Sequence, residues 1–282
     1  MRGALATTHG AISLVNAIGT GHGVTMGTSL STTVRMSIVP GKGITIHTHN
    51  QSSKMIALTI QNIVSSHELA RNKVNVWVNS QVPIGCGLKS SSAVSTAVAM
   101  ACTNVFDLDV TEKDLLEAGM DASLRSGVSI TGAYDDVCGC YYGGVNLAHN
   151  YKALRFHYER ISPDLKVIIF IPNNRTRKNV RNLKKMSHVL DAAWRLAKDG
   201  RYWDAMLVNG LAVSPILGPE PQLLDSLLNA GAMGASLSGN GPSIAAVAYE
   251  GEVRSIKKVF EPMPGHTIIT AINNTKAYSH EL

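Results

Sequence analysis

Apolar positions change period several times along the chain, and each change marks an element. Residues 11–17 and 24–39 interleave Gly, Ser and Thr with β-branched residues, which predicts strands and turns. A turn at 40–43 leads to a short strand over 44–48. Ile56, Ile60, Ile63 and Val64 then recur at helical spacing, which predicts one helix over 52–70. Val74, Val76 and Val78 alternate with Asn75, Trp77 and Asn79, the pattern of a half-buried strand. It ends at Pro83, where a glycine-rich loop begins. Residues 93–106 are rich in Ala, Val and Met and predict a helix of small residues suited to burial. Thr111 ahead of Glu112 and Asp114 reads as an N-cap with acids in the first turn of a helix over 112–125. A glycine-rich stretch covers 127–144. Further on come a strand over 166–171 stopped by Pro172, a helix over 187–198 capped by Ser187, and a helix over 221–230 with Pro near its start and Gly231 after its end. An apolar strand over 244–249, a helix over 252–260 and a strand over 267–271 complete the pattern. The strands fall in antiparallel-looking groups without a regular βαβ rhythm, so the fold class is α+β rather than doubly wound α/β.

Composition narrows the function classes. The chain has 282 residues, 45% of them apolar and 16% charged, which fits a globular protein and excludes disorder. Its length allows one large domain or two smaller layers sharing a cleft. A formal charge of +6 suits anionic small molecules. A nucleic-acid partner is not expected, because the basic residues are scattered and the chain holds only 15 aromatic residues. Trp77, Trp194 and Trp203 are dispersed and read as core residues. No apolar run approaches the roughly 20 residues of a membrane span, and the N-terminus lacks the sustained apolar segment of a signal peptide, so no membrane partner and a cytoplasmic location are expected. Cys86, Cys102, Cys138 and Cys140 read as packing residues, since Cys138-Gly-Cys140 is too tight for a zinc pair.

The sharpest chemical signal follows the strand at 74–78. Pro83, Ile84, Gly85, Cys86, Gly87, Leu88, Lys89, Ser90, Ser91, Ser92 and Ala93 form a loop that runs into the small-residue helix. Two glycines let backbone approach an anion closely. Free N–H groups and the positive end of the helix dipole then face whatever sits there. The serine hydroxyls add hydrogen bonds or a magnesium ligand, and Lys89 adds a point charge. The order fits neither the Walker loop nor the dinucleotide fingerprint, because Ser90 stands where the third glycine belongs.

This loop resembles the second motif of the GHMP kinases, Pro-x-x-x-Gly-Leu-x-Ser-Ser-Ser-Ala. Two other regions agree with it. Leu237-Ser-Gly-Asn-Gly-Pro-Ser243 resembles the third motif, a glycine turn built on Gly239 and Gly241 beside the phosphate loop. In this superfamily a carboxylate commonly precedes a Gly-Gly pair by seven positions. Asp136 stands seven before Gly143, and Asp135 eight. Within the superfamily the chain is most similar to the archaeal type of shikimate kinase, over essentially its whole length. Thr131-Gly-Ala-Tyr-Asp-Asp136, Tyr141-Tyr-Gly-Gly144 and Gly10-Ala-Ile-Ser-Leu-Val-Asn-Ala-Ile18 carry that resemblance. One departure stands out: where that family has Gly-Lys-Gly, this chain has Gly21-His22-Gly23. His22 is then either a weaker, pH-dependent phosphate contact or part of a surface turn.

The resemblance implies two α/β halves, 1–150 and 151–282, with a nucleotide cleft between them. It implies ATP and Mg²⁺ as cofactors, with nucleotide phosphates on residues 83–93 and on Gly239 and Gly241. Asp136, or its neighbour Asp135, is the implied catalytic acid. Ser92 and Asp121 are the implied metal donors, with Glu117 the other candidate acid on the same helix. The implied reaction is transfer of the ATP γ-phosphate to the 3-hydroxyl of shikimate, a step in making aromatic amino acids. Two alternatives stay open at this point: another GHMP kinase acting on homoserine or mevalonate, and a non-catalytic sensor or RNA-binding domain on the same fold. The basic residues 175–178, with Arg181, Lys184 and Lys185, read as a substrate-carboxylate site or a solvated helix face.

Overall fold

The structure, a computed structural model, describes residues 2–174 and 179–282. Among these, β1 (Arg2–Val15), β2 (His22–Pro40), β3 (Ile44–His47), β4 (Asn72–Ser80), β5 (Val145–His149), β6 (Leu154–Glu159) and β11 (Tyr278–Glu281) form a seven-stranded sheet. β2 is long enough to serve two neighbours: Thr32–Pro40 pairs with β4, and His22–Met26 pairs with β5. Within this sheet β3 and β4 run parallel, and the other pairs are antiparallel. A second, four-stranded antiparallel sheet runs β10 (Gly265–Ala271), β7 (Leu165–Pro172), β9 (Ile244–Tyr249) and β8 (Gly234–Leu237). Two sheets with helices laid on them match the α+β expectation. The sheets do not divide the chain at residue 150, however. β6 extends the first sheet beyond it, and β11 returns from the C-terminus to pair with β1.

Helices α1 (Ser53–Ile63), α2 (Ser66–Arg71), α3 (Ser90–Val105), α4 (Glu112–Ser126) and α5 (Tyr134–Tyr142) belong to the first half. The expected single helix over 52–70 breaks at Val64 because Ser65 starts a new one, its hydroxyl accepting from the Glu68 N–H. Thr111 caps α4 as expected, and Asp114 completes the capping box. The glycine-rich stretch hides α5, which starts after Ala133 at φ +56° with no side-chain cap. α3 is buried on nearly all sides, as its small residues require. It packs on β1 and β2 and against α1, α4 and α5. Trp194 is buried, whereas Trp77 is 39% exposed and stacks on His47. Its place in the β4 alternation, opposite the buried valines, puts it on the solvent face.

The second half holds α6 (Ser187–Lys198), α7 (Tyr202–Leu217), α8 (Pro221–Asn229) and α9 (Val253–Phe260). α6 continues a 3₁₀ turn, so Ser187 is its first residue and not its cap. β7 is buried on both faces. Val167, Ile169 and Ile171 face a core shared with β1, β2 and β5, while Ile168 and Phe170 face α7, α8 and α9. That shared core joins the two sheets and sets the phosphate-loop segment between them: Val82, Cys86 and Leu88 are part of it.

Candidate active site

A cleft of about 1140 Å³ is lined by the end of β1, the 83–92 loop, the start of α5 and the 237–244 turn. The phosphate-loop region enters it through left-handed turns at Gly85 (φ +68°), Gly87 (φ +78°) and Lys89 (φ +68°). Gly87 has no room for a side chain, since a Cβ there would stand 2.0 Å from the carbonyl oxygen of Ser238. The Ser238 hydroxyl donates to the Gly87 carbonyl at 2.8 Å and accepts from the Ser13 N–H at 3.1 Å. Asn16 ties the same segments together, its Nδ2 donating to the Gly239 carbonyl at 2.8 Å. The three stretches read separately in the sequence, 10–18, 83–93 and 237–243, therefore meet at one place.

α3 begins at this junction. Among the described residues no side chain caps its N-terminus, so its first N–H groups face the cleft with the serines. Ser90, Ser91 and Ser92 all line the cleft, and the Ser90 hydroxyl also accepts from Gln51 Nε2 at 2.9 Å. Pro83, Gly85, Gly87, Leu88, Lys89, Gly239 and Gly241 line it too. Ile84, Cys86 and Ala93 do not. Cys86 and Ala93 are turned into the core, where the Ala93 carbonyl accepts from Thr8 Oγ1 at 2.8 Å.

Lys89 extends into the cleft and is almost fully buried. Its Nζ stands 2.8 Å from Asp136 Oδ1 and donates to Ser13 Oγ at 2.7 Å. Burial opposes the charge on Lys89, but Asp136 and Asp135 together outweigh it and hold its pKa above the usual lysine value. Asp135 is buried beside this pair, and burial, then the neighbouring Asp136, pushes its pKa up to about 7. Both carboxylates reach the cleft because α5 opens toward it. The Asp135 N–H donates to Asn150 Oδ1 at 2.9 Å, which fixes that first turn. Among the described residues lining the cleft, Lys89, Asp135, Asp136 and Glu220 are the charged ones.

Two expectations are corrected. Asp121 lies outside the cleft on the exposed side of α4, where its carboxylate accepts from Asn62 Nδ2 at 2.9 Å and pairs with Arg125 at 3.3 Å. Its distance in sequence before Asp136 did not put it on the inward face of α4; Glu117, paired with Lys113, is likewise outside. His22, left open between a phosphate contact and a surface turn, does not line the cleft: its ring stacks on Trp194 at 4.7 Å and meets His149 edge-on. Burial, then His149, lowers its pKa. Among the described residues the cation in the cleft is Lys89, from the 83–93 loop itself. Arg181, Lys184 and Lys185 do not line the cleft, and residues 175–178 lie outside the described residues. Ser13, Asn16, Asn150 and Glu220 were missed as site residues. Ser13 and Asn16 sit inside a phrase quoted for its resemblance, whereas Asn150 and Glu220 carry no local signal.

The GHMP kinases N terminal domain family matches residues 54–144, which includes the phosphate loop and both aspartates. The chain is 31% identical to the shikimate kinase of Methanothrix thermoacetophila, over 98% of this chain and 96% of that protein. It is 33% identical to the shikimate kinase of Pyrococcus furiosus, over 93% and 96%. The chain belongs to the archaeal-type shikimate kinase family of the GHMP kinases. The GHMP fold is shared with more distant solved structures. Homoserine kinase from Cytophaga hutchinsonii superposes with a TM-score of 0.77 at 17% identity, covering 99% of this chain and 97% of that one. Mevalonate kinase from Methanococcus jannaschii gives 0.76 at 14% identity, covering 96% and 98%. Among the described residues no helix is long and apolar enough to cross a membrane.

Proposed function

We propose that this chain is an ATP-dependent kinase that phosphorylates the 3-hydroxyl of shikimate. Near-full-length similarity to archaeal shikimate kinases carries the substrate, and the Lys89–Asp136 pair beside the phosphate loop carries the chemistry. The nucleotide phosphates lie along residues 85–92, against the N-terminus of α3 and the Gly239–Gly241 turn. Asp136 orients the attacking 3-hydroxyl and accepts its proton as the oxygen bonds to the γ-phosphorus and ADP leaves. Lys89, steadied by Ser13, holds the Asp136 carboxylate in place and offsets charge on the transferring group. Positioning and charge neutralisation supply most of the rate in such a loose transition state.

The open start of α3 offers Mg²⁺ an all-oxygen environment, with the Ser91 and Ser92 hydroxyls in the same cleft as a carboxylate. Ser92, with Ser91, is the proposed protein donor, and Asp121 is not. Magnesium held there would neutralise phosphate charge, and the chain's own residues orient the acceptor.

The test is to incubate the protein with ATP, Mg²⁺ and shikimate and to identify the product by NMR. A single 3-phosphate supports the reading. Turnover of homoserine or mevalonate without shikimate would overturn the substrate, and binding without phosphoryl transfer would overturn the enzyme.

A further inference from the structure

The mechanism above uses one of two adjacent carboxylates. The other, Asp135, is 3% exposed and yet lines the cleft. Its main chain is held on both sides: its N–H donates to Asn150 Oδ1 at 2.9 Å, and its carbonyl accepts from Thr25 Oγ1 at 2.7 Å. Asn150 is itself placed by its Nδ2, which donates to Thr131 Oγ1 at 3.2 Å. The side chain lies flush on Gly23, where a Cβ would come within 2.1 Å of Asp135 Oδ2 and 3.0 Å of the Ala17 methyl. Gly23 thus leaves a slot that the carboxylate fills, beside the cleft residue Ala17.

The scaffold meets only part of that carboxylate, through hydrogen bonds from Asn150 and the Asp136 N–H. Lys89 makes its ion pair with Asp136, and among the described residues Asp135 makes none. Lys89 acts on Asp135 through its charge without a direct ion pair, burial still outweighs it, and such a carboxylate is tolerated where its remaining acceptor capacity has a use. The cost shows in the high pKa of Asp135. Successive helix residues point about 100° apart, so Asp135 and Asp136 reach neighbouring parts of one small ligand and not opposite ends.

We propose that Asp135 accepts a hydrogen bond from the hydroxyl on the carbon next to the one attacked, so that the Asp135–Asp136 pair selects a vicinal diol. In the proposed reaction Asp136 takes the 3-hydroxyl and Asp135 the 4-hydroxyl; the assignment rests on that reading. A polyol with one isolated hydroxyl satisfies only half of the pair and leaves a buried acceptor unmet, which is the strongest basis for rejecting a near-isostere.

The experiment is a cycle between enzyme and substrate. Wild type and Asp135→Asn are assayed for kcat/KM on shikimate, on shikimate lacking the 4-hydroxyl and on shikimate lacking the 5-hydroxyl. Asp135→Ser is run in parallel, and nucleotide binding by each variant confirms that it folds. Wild type should lose at least tenfold when the 4-hydroxyl is removed, and each variant should lose at least tenfold on shikimate. The two losses should not multiply: on the 4-deoxy substrate, wild type and variants should come within about threefold of each other. Equal losses by the variants on all three substrates would mean that Asp135 only shapes α5. Coupling to the 5-hydroxyl would place it elsewhere on the ring. Either result overturns the assignment while leaving shikimate kinase activity intact. A wild type that does not phosphorylate shikimate overturns both.

Discussion

Lys89 Nζ stands 2.8 Å from Asp136 Oδ1, although 47 residues separate the two in the chain. The contact joins the 83–93 loop to the start of α5, and Ser13 Oγ holds the lysine from a third segment at 2.7 Å. Charge on the two groups is matched before any ligand arrives. Asp136→Asn should therefore keep nucleotide binding and lower kcat by about 10²–10⁴-fold, the range for a lost base or orienting group. Lys89→Met should lower kcat as well, and it should cost about 3–5 kcal/mol of stability by stranding a largely buried carboxylate. Adding Asp136→Asn to Lys89→Met should return part of that stability and cost little further activity. Steady-state kinetics and urea unfolding of the three variants give the comparison. Fully additive losses would mean that the two residues act independently.

The metal should follow the serines and not α4. Ser92→Ala should raise the Mg²⁺ concentration needed for half-maximal rate severalfold, because it removes a hydroxyl from the helix start that faces the phosphates. Asp121→Ala should leave that concentration unchanged, since Asp121 is occupied by Asn62 and Arg125 outside the cleft. Magnesium titrations at fixed ATP check both. A raised requirement in Asp121→Ala with none in Ser91→Ala or Ser92→Ala would reverse the assignment.

Gly87 couples the two glycine motifs by contact. Its φ of +78° disfavours any other residue, and an added methyl would meet the Ser238 carbonyl at 2.0 Å. Gly87→Ala should cost about 3 kcal/mol or more, seen as a lower Tm, and should weaken ATP binding by at least tenfold. Gly43 has a positive φ but nothing within 4 Å of its would-be Cβ, so Gly43→Ala serves as the control for backbone strain alone. If both variants lose stability equally and bind ATP alike, the Gly87–Ser238 approach has no bearing on the site.

Legibility of the site in the sequence follows the range of the interactions. The phosphate loop was readable because glycines, serines and the buried helix after them are contiguous, and local chemistry dictates their use. β4, α6 and β9 were readable for the same reason, each carrying one clean period. α7 was not. It is apolar all round, with Gly210 and Pro215 inside it, and so shows no stripe. β11 is short and polar, and its pairing with β1 depends on the opposite end of the chain. The two aspartates carry a local signal in the sequence, but their partners do not. Lys89 reads in the sequence as a point charge for an anion, and folding also pairs it with Asp136; Asn150 has no signal because it meets Asp135 only in the fold. Asp121 shows the reverse error, a residue chosen by spacing whose helix turns it outward.

Asp135 gives a pH dependence of stability with a definite sign. Its pKa rises from an ordinary carboxylate value to about 7 on folding, through burial first and Asp136 second. The folded state therefore binds more protons than the unfolded state between about pH 4 and pH 7. The stability tied to this group is fully present below about pH 4 and is lost as pH rises through about 7. Asp135→Asn abolishes that titration without changing the shape of the side chain. The variant should consequently be more stable than wild type at pH 8, by up to about 4 kcal/mol, and the advantage should shrink steadily toward pH 4. Urea unfolding of both proteins from pH 4 to pH 8, without nucleotide, measures the difference directly. A constant difference across that range would show that Asp135 does not titrate there, and a variant that falls below wild type as pH rises would show that its charge is welcome in the folded state.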